Sequence, residues 1–275
     1  MSNYLIQSET LTDIADAIRD KTGSTDQLSP SAMASAIAGI PAGGGGDAED
    51  TLRGLIERTA TEIVVPEGTT KIGDYAFYNC RSLAMESLPE GMASIGDYAF
   101  RYCTNLALTS LPSGLTSIGS YAFASCTNLA LTSLPSDITS IEQYTFQNCT
   151  NLALTSLPSG LTKIGIYAFA SCTNLALTSL PSGLTSIGSY VFQNCEKLAL
   201  TKIPSGVSKL DANVFKGCTG IKWLTFEGTP SNIASTAFTG CTDLRTINVP
   251  WARDAVANAP WGATNATINY NYTGG

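Results

Sequence analysis

The sequence predicts an α/β solenoid: a stack of about eight 23-residue turns, with a parallel sheet on one side and short helical or 3₁₀ turns on the other. Three observations predict it. Eight cysteines, Cys80, Cys103, Cys126, Cys149, Cys172, Cys195, Cys218 and Cys241, recur at a constant spacing of 23 residues. A phenylalanine stands three residues before each of them, from Phe77 to Phe238, and an aliphatic residue eight before, from Ile72 to Ile233. A third apolar column, Leu83 to Leu244, follows each cysteine by three residues. A fixed period of this length is the sequence signature of a repeat stack. One turn cannot bury its apolar face alone, so neighbouring turns must build the core between them.

Each turn divides into three pieces. In CTNLALTSLP, Leu106 and Leu108 alternate with polar positions, which predicts a short strand with one face inward. Pro112 and its equivalents (Pro66, Pro89, Pro135, Pro158, Pro181, Pro204, Pro250) end that strand, because proline cannot donate to a central ladder. The PSG that follows is a turn signal. In IGSYAFASC, the apolar set Ile118, Ala122, Phe123 and Cys126 has helical spacing, which predicts a helical or 3₁₀ turn opposite the sheet.

The ends differ from the array. Residues 1–40 read as a docking segment of two short helices. The first carries Leu11, Ile14 and Ile18 on one face behind Thr10 and Asp13 at capping-box spacing; the second has Ser29 as cap, Pro30 at its first position, then Met33 and Ile37. Both are too short to be stable alone, so they must pack on each other or on a partner surface, for which these apolar residues are the candidate docking face. Residues 41–47 read as a Gly-rich hinge, 48–64 as a helical N-terminal cap and 65–250 as the solenoid. Residues 251–275 abandon the period and read as a C-terminal cap, with Trp251 and Trp261 over the open end and a final strand within 267–272.

Composition excludes several function classes. The net charge is −7, only 13% of residues are charged, and no Lys/Arg cluster occurs, so no nucleic-acid partner is expected. No stretch is long and apolar enough to insert in a membrane, and the first residues lack the pattern of a signal peptide. Histidine is absent, which removes Ser–His–Asp, Cys–His and His-containing zinc sites. The cysteines never approach the C-x₂-C spacing of a zinc site, and GGGG at 43–46 lacks the GK[ST] of a phosphate loop. Glu86, Glu90 and Asp97 read as solvated surface. No catalytic residue, metal or cofactor is expected.

The cysteine column shares its face with Ile, Ala and Phe. It reads as a set of small buried thiols, with a ladder of disulfides between stacked turns as the alternative. Two outward columns are candidate ligand contacts. Tyr98, Tyr121, Tyr144, Tyr167 and Tyr190 flank the inward face, either as a lid on the core or as rings that stack against a sugar or anchor a partner. Thr109, Thr132, Thr155 and Thr178 repeat as neutral polar positions, suited to glycan hydroxyls or to a solubilising surface on a spacer.

The unit LTSIGSYAFASCTNL, with LP ahead of it, resembles the bacterial surface-antigen (BspA-like, treponemal-type) leucine-rich repeats, over roughly Val65 to Pro250. The resemblance implies a right-handed leucine-rich-repeat stack acting mainly in adhesion and protein binding. The family spaces its strand residues as in Leu244, Ile247 and Val249; the middle units depart from this, reading Leu106, Leu108 and Leu111 with Thr109 at the apolar place. LTDIADAIRDKTGSTDQLSPSAMASAIAGI resembles the N-terminal helical segment of tail and baseplate-associated proteins of phages of Gram-positive gut bacteria. WGATNATINYNY is similar to the C-terminal piece of repeat proteins from such phages. These two likenesses imply a virion protein that attaches to the host surface, made in the host cytoplasm. Its partners would be other virion proteins through the helices, a host-surface glycan or protein through the solenoid, and further copies of itself as a trimer by family analogy. A bacterial surface adhesin and a passive virion spacer are the alternatives.

Overall fold

The computed structural model describes Thr61, Ile63, Val65 and residues 67–274. The docking segment with Leu11, Ile14, Ile18, Met33 and Ile37, the hinge and most of the N-terminal cap lie outside the described residues. The remainder is a parallel-strand solenoid of about nine turns with a single apolar core running its length.

Its strands are short: β1 (Lys71–Ile72), β2 (Ser94–Ile95), β3 (Ser117–Ile118), β4 (Ser140–Ile141), β5 (Lys163–Ile164), β6 (Ser186–Ile187), β7 (Lys202–Ile203), β8 (Lys209–Leu210), β9 (Trp223–Phe226), β10 (Asn232–Ile233), β11 (Thr246–Asn248) and β12 (Thr267–Asn269). Every pairing is parallel. β1-β2-β3, β4-β5-β6 and β8-β10 form one interrupted column, and β7-β9-β11-β12 form a second, continuous sheet at the C-terminal end.

The strand expected over Leu106–Leu111 is therefore misplaced in the central turns. Leu106 and Leu108 do point inward, but Thr109 and Ser110 are both exposed, which breaks the period of two before Leu111 is buried. The backbone there makes one bond per turn, such as Ala130 N–H to the Leu108 carbonyl, and no ladder. The central strand lies instead at Ser117–Ile118, after the turn that Pro112 opens by accepting the Leu115 N–H. Where alternation survives, as in Trp223, Leu224, Thr225 and Phe226, a ladder forms in the expected segment.

The segment opposite is not helical among the described residues. Tyr121 (φ 58°) and Ser125 (φ 63°) are left-handed, and the same two positions are left-handed in most turns, so no right-handed run exceeds three residues. Every N–H there is nevertheless used. Those of Tyr121, Phe123 and Ser125 donate to the next turn's Gln143, Thr145 and Gln147 carbonyls. Those of Ala122, Ala124 and Cys126 donate three residues back within the turn. Helical spacing of the apolar residues is produced here by stacked turns.

The glycine that follows the Ile column residue in five turns stands where neighbouring turns approach closely. A Cβ on Gly119 would stand 2.6 Å from the backbone N of Asp97 and the backbone C of Gly96. Its N–H donates to the Ile95 carbonyl at 2.8 Å, as Gly96, Gly165 and Gly188 do in their turns. Glu142, Asp211 and Ala234 occupy this column in the other three turns; the strand column breaks at the two acidic residues, between β3 and β4 and between β6 and β8, and is kept at Ala234, where β8 pairs β10. Thr145, fully buried, partly repairs the first break: its hydroxyl donates to the Glu142 and Gly119 carbonyls. Gly119→Ala is expected to cost about 1–3 kcal/mol through overpacking. Gly160→Ala, with nothing within 4 Å of the added Cβ, should change the urea midpoint little. Equal effects for the two would remove close approach as the reason for the glycine.

The tail continues the stack where the sequence suggested it stopped. Asn258 (φ 68°) and Gly262 (φ 87°) repeat the paired left-handed positions four residues apart, and the Trp261 carbonyl accepts the Phe238 N–H at 3.0 Å. β12 pairs in register with β11, Ile268 opposite Ile247. Trp251 and Trp261 close the apolar end against Phe226, with ring centroids 5.2 and 6.4 Å from it. The cap is a ninth, imperfect turn.

Candidate ligand-binding surfaces

All eight cysteines are free and buried. Each thiol from Cys103 to Cys241 donates to the carbonyl of the phenylalanine 26 residues earlier. Cys126 to Phe100 at 3.0 Å and Cys172 to Phe146 at 3.0 Å are examples. The column is thus a polar clamp between turns as well as a packing position, a role the spacing alone did not reveal. Burial pushes the thiols of Cys126, Cys172 and Cys218 far up, with neighbouring thiols of the column adding to the effect. Burial likewise raises Cys149 and Cys195, and pushes Cys241 up to about 12. A nucleophilic thiolate needs exposure and a lowered pKa, and these six thiols have neither.

The tyrosines form a continuous stack. Successive rings from Tyr75 to Tyr190 lie 4.7, 4.6, 4.3, 4.9 and 4.4 Å apart, all within 12° of parallel. All six sit at a left-handed φ of 56–61°, which costs a residue other than glycine on the order of 1 kcal/mol. A stacked pair contributes about 0.5–1.5 kcal/mol beyond area burial, so stacking roughly offsets the backbone cost. The stack ends where Asn213 takes the position, still left-handed (φ 57°). Tyr98, Tyr121, Tyr144, Tyr167 and Tyr190 are half-buried with one ring face against each neighbour, and Tyr75 is exposed at the N-terminal end. Burial and the adjoining phenols raise the pKa of Tyr121 and Tyr167. Arg101 lies over Tyr98, Tyr102 and Tyr121 at 4.6–5.4 Å from the ring centroids and donates to the Tyr102 hydroxyl. Because both faces of the inner rings are occupied, the stack presents ring edges and hydroxyls to solvent rather than platforms for a sugar.

Thr109, Thr132, Thr155 and Thr178 are all exposed, and their hydroxyls have no partner among the described residues. They lie eleven residues after the tyrosines in a 23-residue turn, and no hydrogen bond or ring contact joins the two columns among the described residues. A different threonine column is structural. Thr127, Thr150 and Thr173 donate to the carbonyls of Thr104, Thr127 and Thr150 at 3.2–3.4 Å, linking turn to turn. Glu90 and Asp97 are not simply solvated: each accepts a backbone N–H from the next turn, Ser113 and Ser120.

The C-terminal sheet carries a surface that column reading missed. The position five after each cysteine is a buried leucine in the regular turns (Leu108, Leu131, Leu154, Leu177, Leu200), yet Trp223 at that position is 54% exposed. Leu224, one residue later, takes the inward place. Register sets Trp223 beside Thr246 and Thr246 beside Thr267, while Thr225, Asn248 and Asn269 form the next outward row. In that row Asn248 Nδ2 donates to Thr225 Oγ1 at 3.2 Å and Asn269 Nδ2 to Asn248 Oδ1 at 2.8 Å. Among the described residues no helix is long and apolar enough to cross a membrane, and no cluster of His, Cys, Asp or Glu has metal-site geometry.

The chain is similar to several solved structures. A leucine rich cell surface protein from Faecalibacterium prausnitzii is 24% identical, with a TM-score of 0.50, over 78% of this chain and 65% of its own. A leucine rich repeat protein from T. pallidum is 28% identical, with a TM-score of 0.47, over 67% of this chain and 78% of its own. The pneumococcal vaccine antigen PcpA is 15% identical, with a TM-score of 0.39, over 78% and 69%. No curated protein sequence matches the chain. The BspA type leucine rich repeat region matches in six copies over residues 57–176 and 141–258. With more than half its length so matched, the chain belongs to the BspA type leucine-rich repeat family.

Proposed function

We propose that the chain is a non-enzymatic binding solenoid displayed at a bacterial cell surface and acting as an adhesin-like module. The observation that carries this reading is the outward face of the regular turns. Exposed Thr–Ser pairs repeat at 109–110, 132–133, 155–156 and 178–179 on a stack held by backbone, thiol and threonine bonds. Such a face is rigid, neutral and rich in free hydroxyls, which suits an extended repetitive ligand better than a small molecule in a pocket. Membership of the BspA type family and similarity to a leucine rich cell surface protein favour surface display over the virion display that the terminal segments suggested. Buried high-pKa thiols and the absence of histidine support the non-enzymatic part.

Surface proteolysis of intact cells expressing the chain is expected to release solenoid fragments. Labelled chain added to bacterial and epithelial cells should bind saturably, and deleting two central turns (residues 127–172) should weaken that binding several-fold. Full protection from protease together with no saturable binding would sink the proposal. The virion reading, with docking through Leu11, Ile14, Ile18, Met33 and Ile37 and a trimeric assembly, rests on the terminal likenesses. It is tested by electron microscopy of particles carrying a labelled chain.

A further inference from the structure

We propose that the outward face of the C-terminal sheet is a saccharide platform for an uncharged hexose polymer, with Trp223 as its stacking residue. The inference rests on the surface-binding reading above and names the ligand class and the site. Three observations argue for it. First, Trp223 is a large exposed aromatic held on a regular strand, at a position that is a buried leucine in the five central turns and an outward threonine, Thr246, in the turn beside it. Second, the side chains beside it are hydroxyls and carboxamides: Thr246 and Thr267 in its own row, Thr225, Asn248 and Asn269 in the next. The Asn269–Asn248–Thr225 chain holds both amides in one orientation. Each amide nitrogen retains a second N–H, and Asn and Thr oxygens retain acceptor capacity. Paired donors and acceptors next to an aromatic face match the vicinal hydroxyls and C–H face of a pyranose. Third, the strands themselves carry little charge. Within them the one charged side chain, Lys202, is paired with Glu227 at 3.0 Å, and exposed Lys222 and Arg245 stand at the edge, one residue before β9 and β11.

A protein occupant fits less well. A stable protein interface buries roughly 1,200–2,000 Å² around an apolar centre, and this face offers a single exposed ring among polar side chains. The tyrosine stack is also a poorer sugar site, since its inner rings already have a ring on each side.

The indole itself reports the test. Trp223 is the exposed tryptophan of the three in the chain; Trp251 is 5% and Trp261 0% exposed. Full-length chain is titrated with cellohexaose, laminarihexaose and mannohexaose, with polygalacturonate as the anionic comparison. At least one neutral oligomer is expected to shift emission to the blue and shield the indole from acrylamide. Trp223→Ala should lower that affinity at least ten-fold with its thermal transition unchanged, Trp223→Tyr should retain part of it, and Asn248→Ala should weaken it several-fold. The proposal is overturned if no neutral oligomer binds, if polygalacturonate binds preferentially, or if Trp223→Ala binds as the parent does. Cell binding separates the two readings. Adsorption kept by Trp223→Ala and lost when target cells are treated with protease, but not periodate, rejects the saccharide platform and leaves a surface-binding solenoid. Absence of adsorption by the parent chain rejects the surface-binding reading itself.

Discussion

Between about pH 8.5 and about pH 10.5 the solenoid is expected to lose most of its stability. The cause is the thiol column. Cys126, Cys149, Cys172, Cys195, Cys218 and Cys241 are buried as neutral S–H donors whose pKa values burial raises above those of exposed thiols. An unfolded thiol ionises near pH 8.5, whereas the folded one keeps its proton. Above that pH the unfolded chain binds fewer protons than the native chain, so the slope of unfolding free energy with pH is negative. The contribution is intact below about pH 8.5 and declines as pH rises towards the folded values. Each thiol contributes about 1.4 kcal/mol per pH unit in that window, so six approach about 8 kcal/mol per unit. That is comparable with the whole stability of an ordinary domain, about 5–15 kcal/mol. Tyr121 and Tyr167 act in the same direction at higher pH. Urea midpoints followed by circular dichroism in reductant, from pH 7 to pH 10.5, measure this directly. A Cys149→Ala/Cys195→Ala variant should start lower at pH 7 and fall less steeply, by about 3 kcal/mol per pH unit. A midpoint that holds steady to pH 10.5 would exclude the account.

Phe146→Ala is expected to cost about 3–5 kcal/mol and to split unfolding into two transitions. The Phe146 ring is fully buried between Phe123 and Phe169, with centroids 5.6 and 5.5 Å away. Its turn is also where Glu142 interrupts the strand column, so β3 and β4 do not pair. In a repeat stack, stability is the sum of turn energies and nearest-neighbour interfaces, and removing the ring weakens the interface that already lacks a ladder. Phe169→Ala is the comparison. Its turn lies within β4-β5-β6, where pairing is continuous on both sides, so a similar loss should leave one transition. Fluorescence of the C-terminal tryptophans against far-ultraviolet dichroism distinguishes one transition from two. Coincident curves for Phe146→Ala would refute the weak seam.

Much of this was legible in the residue columns because each side chain meets its own copy 23 residues away. Phe100 stacks on Phe123 and Tyr98 on Tyr121, so the column states both a residue and its neighbour. The inward place of the phenylalanines, leucines and thiols follows directly. The helix expected over IGSYAFASC did not, because apolar spacing cannot distinguish a helix from stacked turns when Tyr121 and Ser125 adopt left-handed backbone. The strand expected over Leu106–Leu111 failed where Thr109 and Ser110 both face solvent.

The sequence by itself determined a stack of 23-residue turns, a buried core of Ile, Phe, Cys and Leu, and the absence of histidine-based chemistry, since each follows from period and composition. Only the tertiary structure decided where the ladders lie, that Trp261 belongs to a ninth turn, and that Trp223 faces outward. The reason is parity. A strand that starts one residue later exchanges its inner and outer faces, and in this turn Leu224, rather than the residue five after the cysteine, takes the inward place.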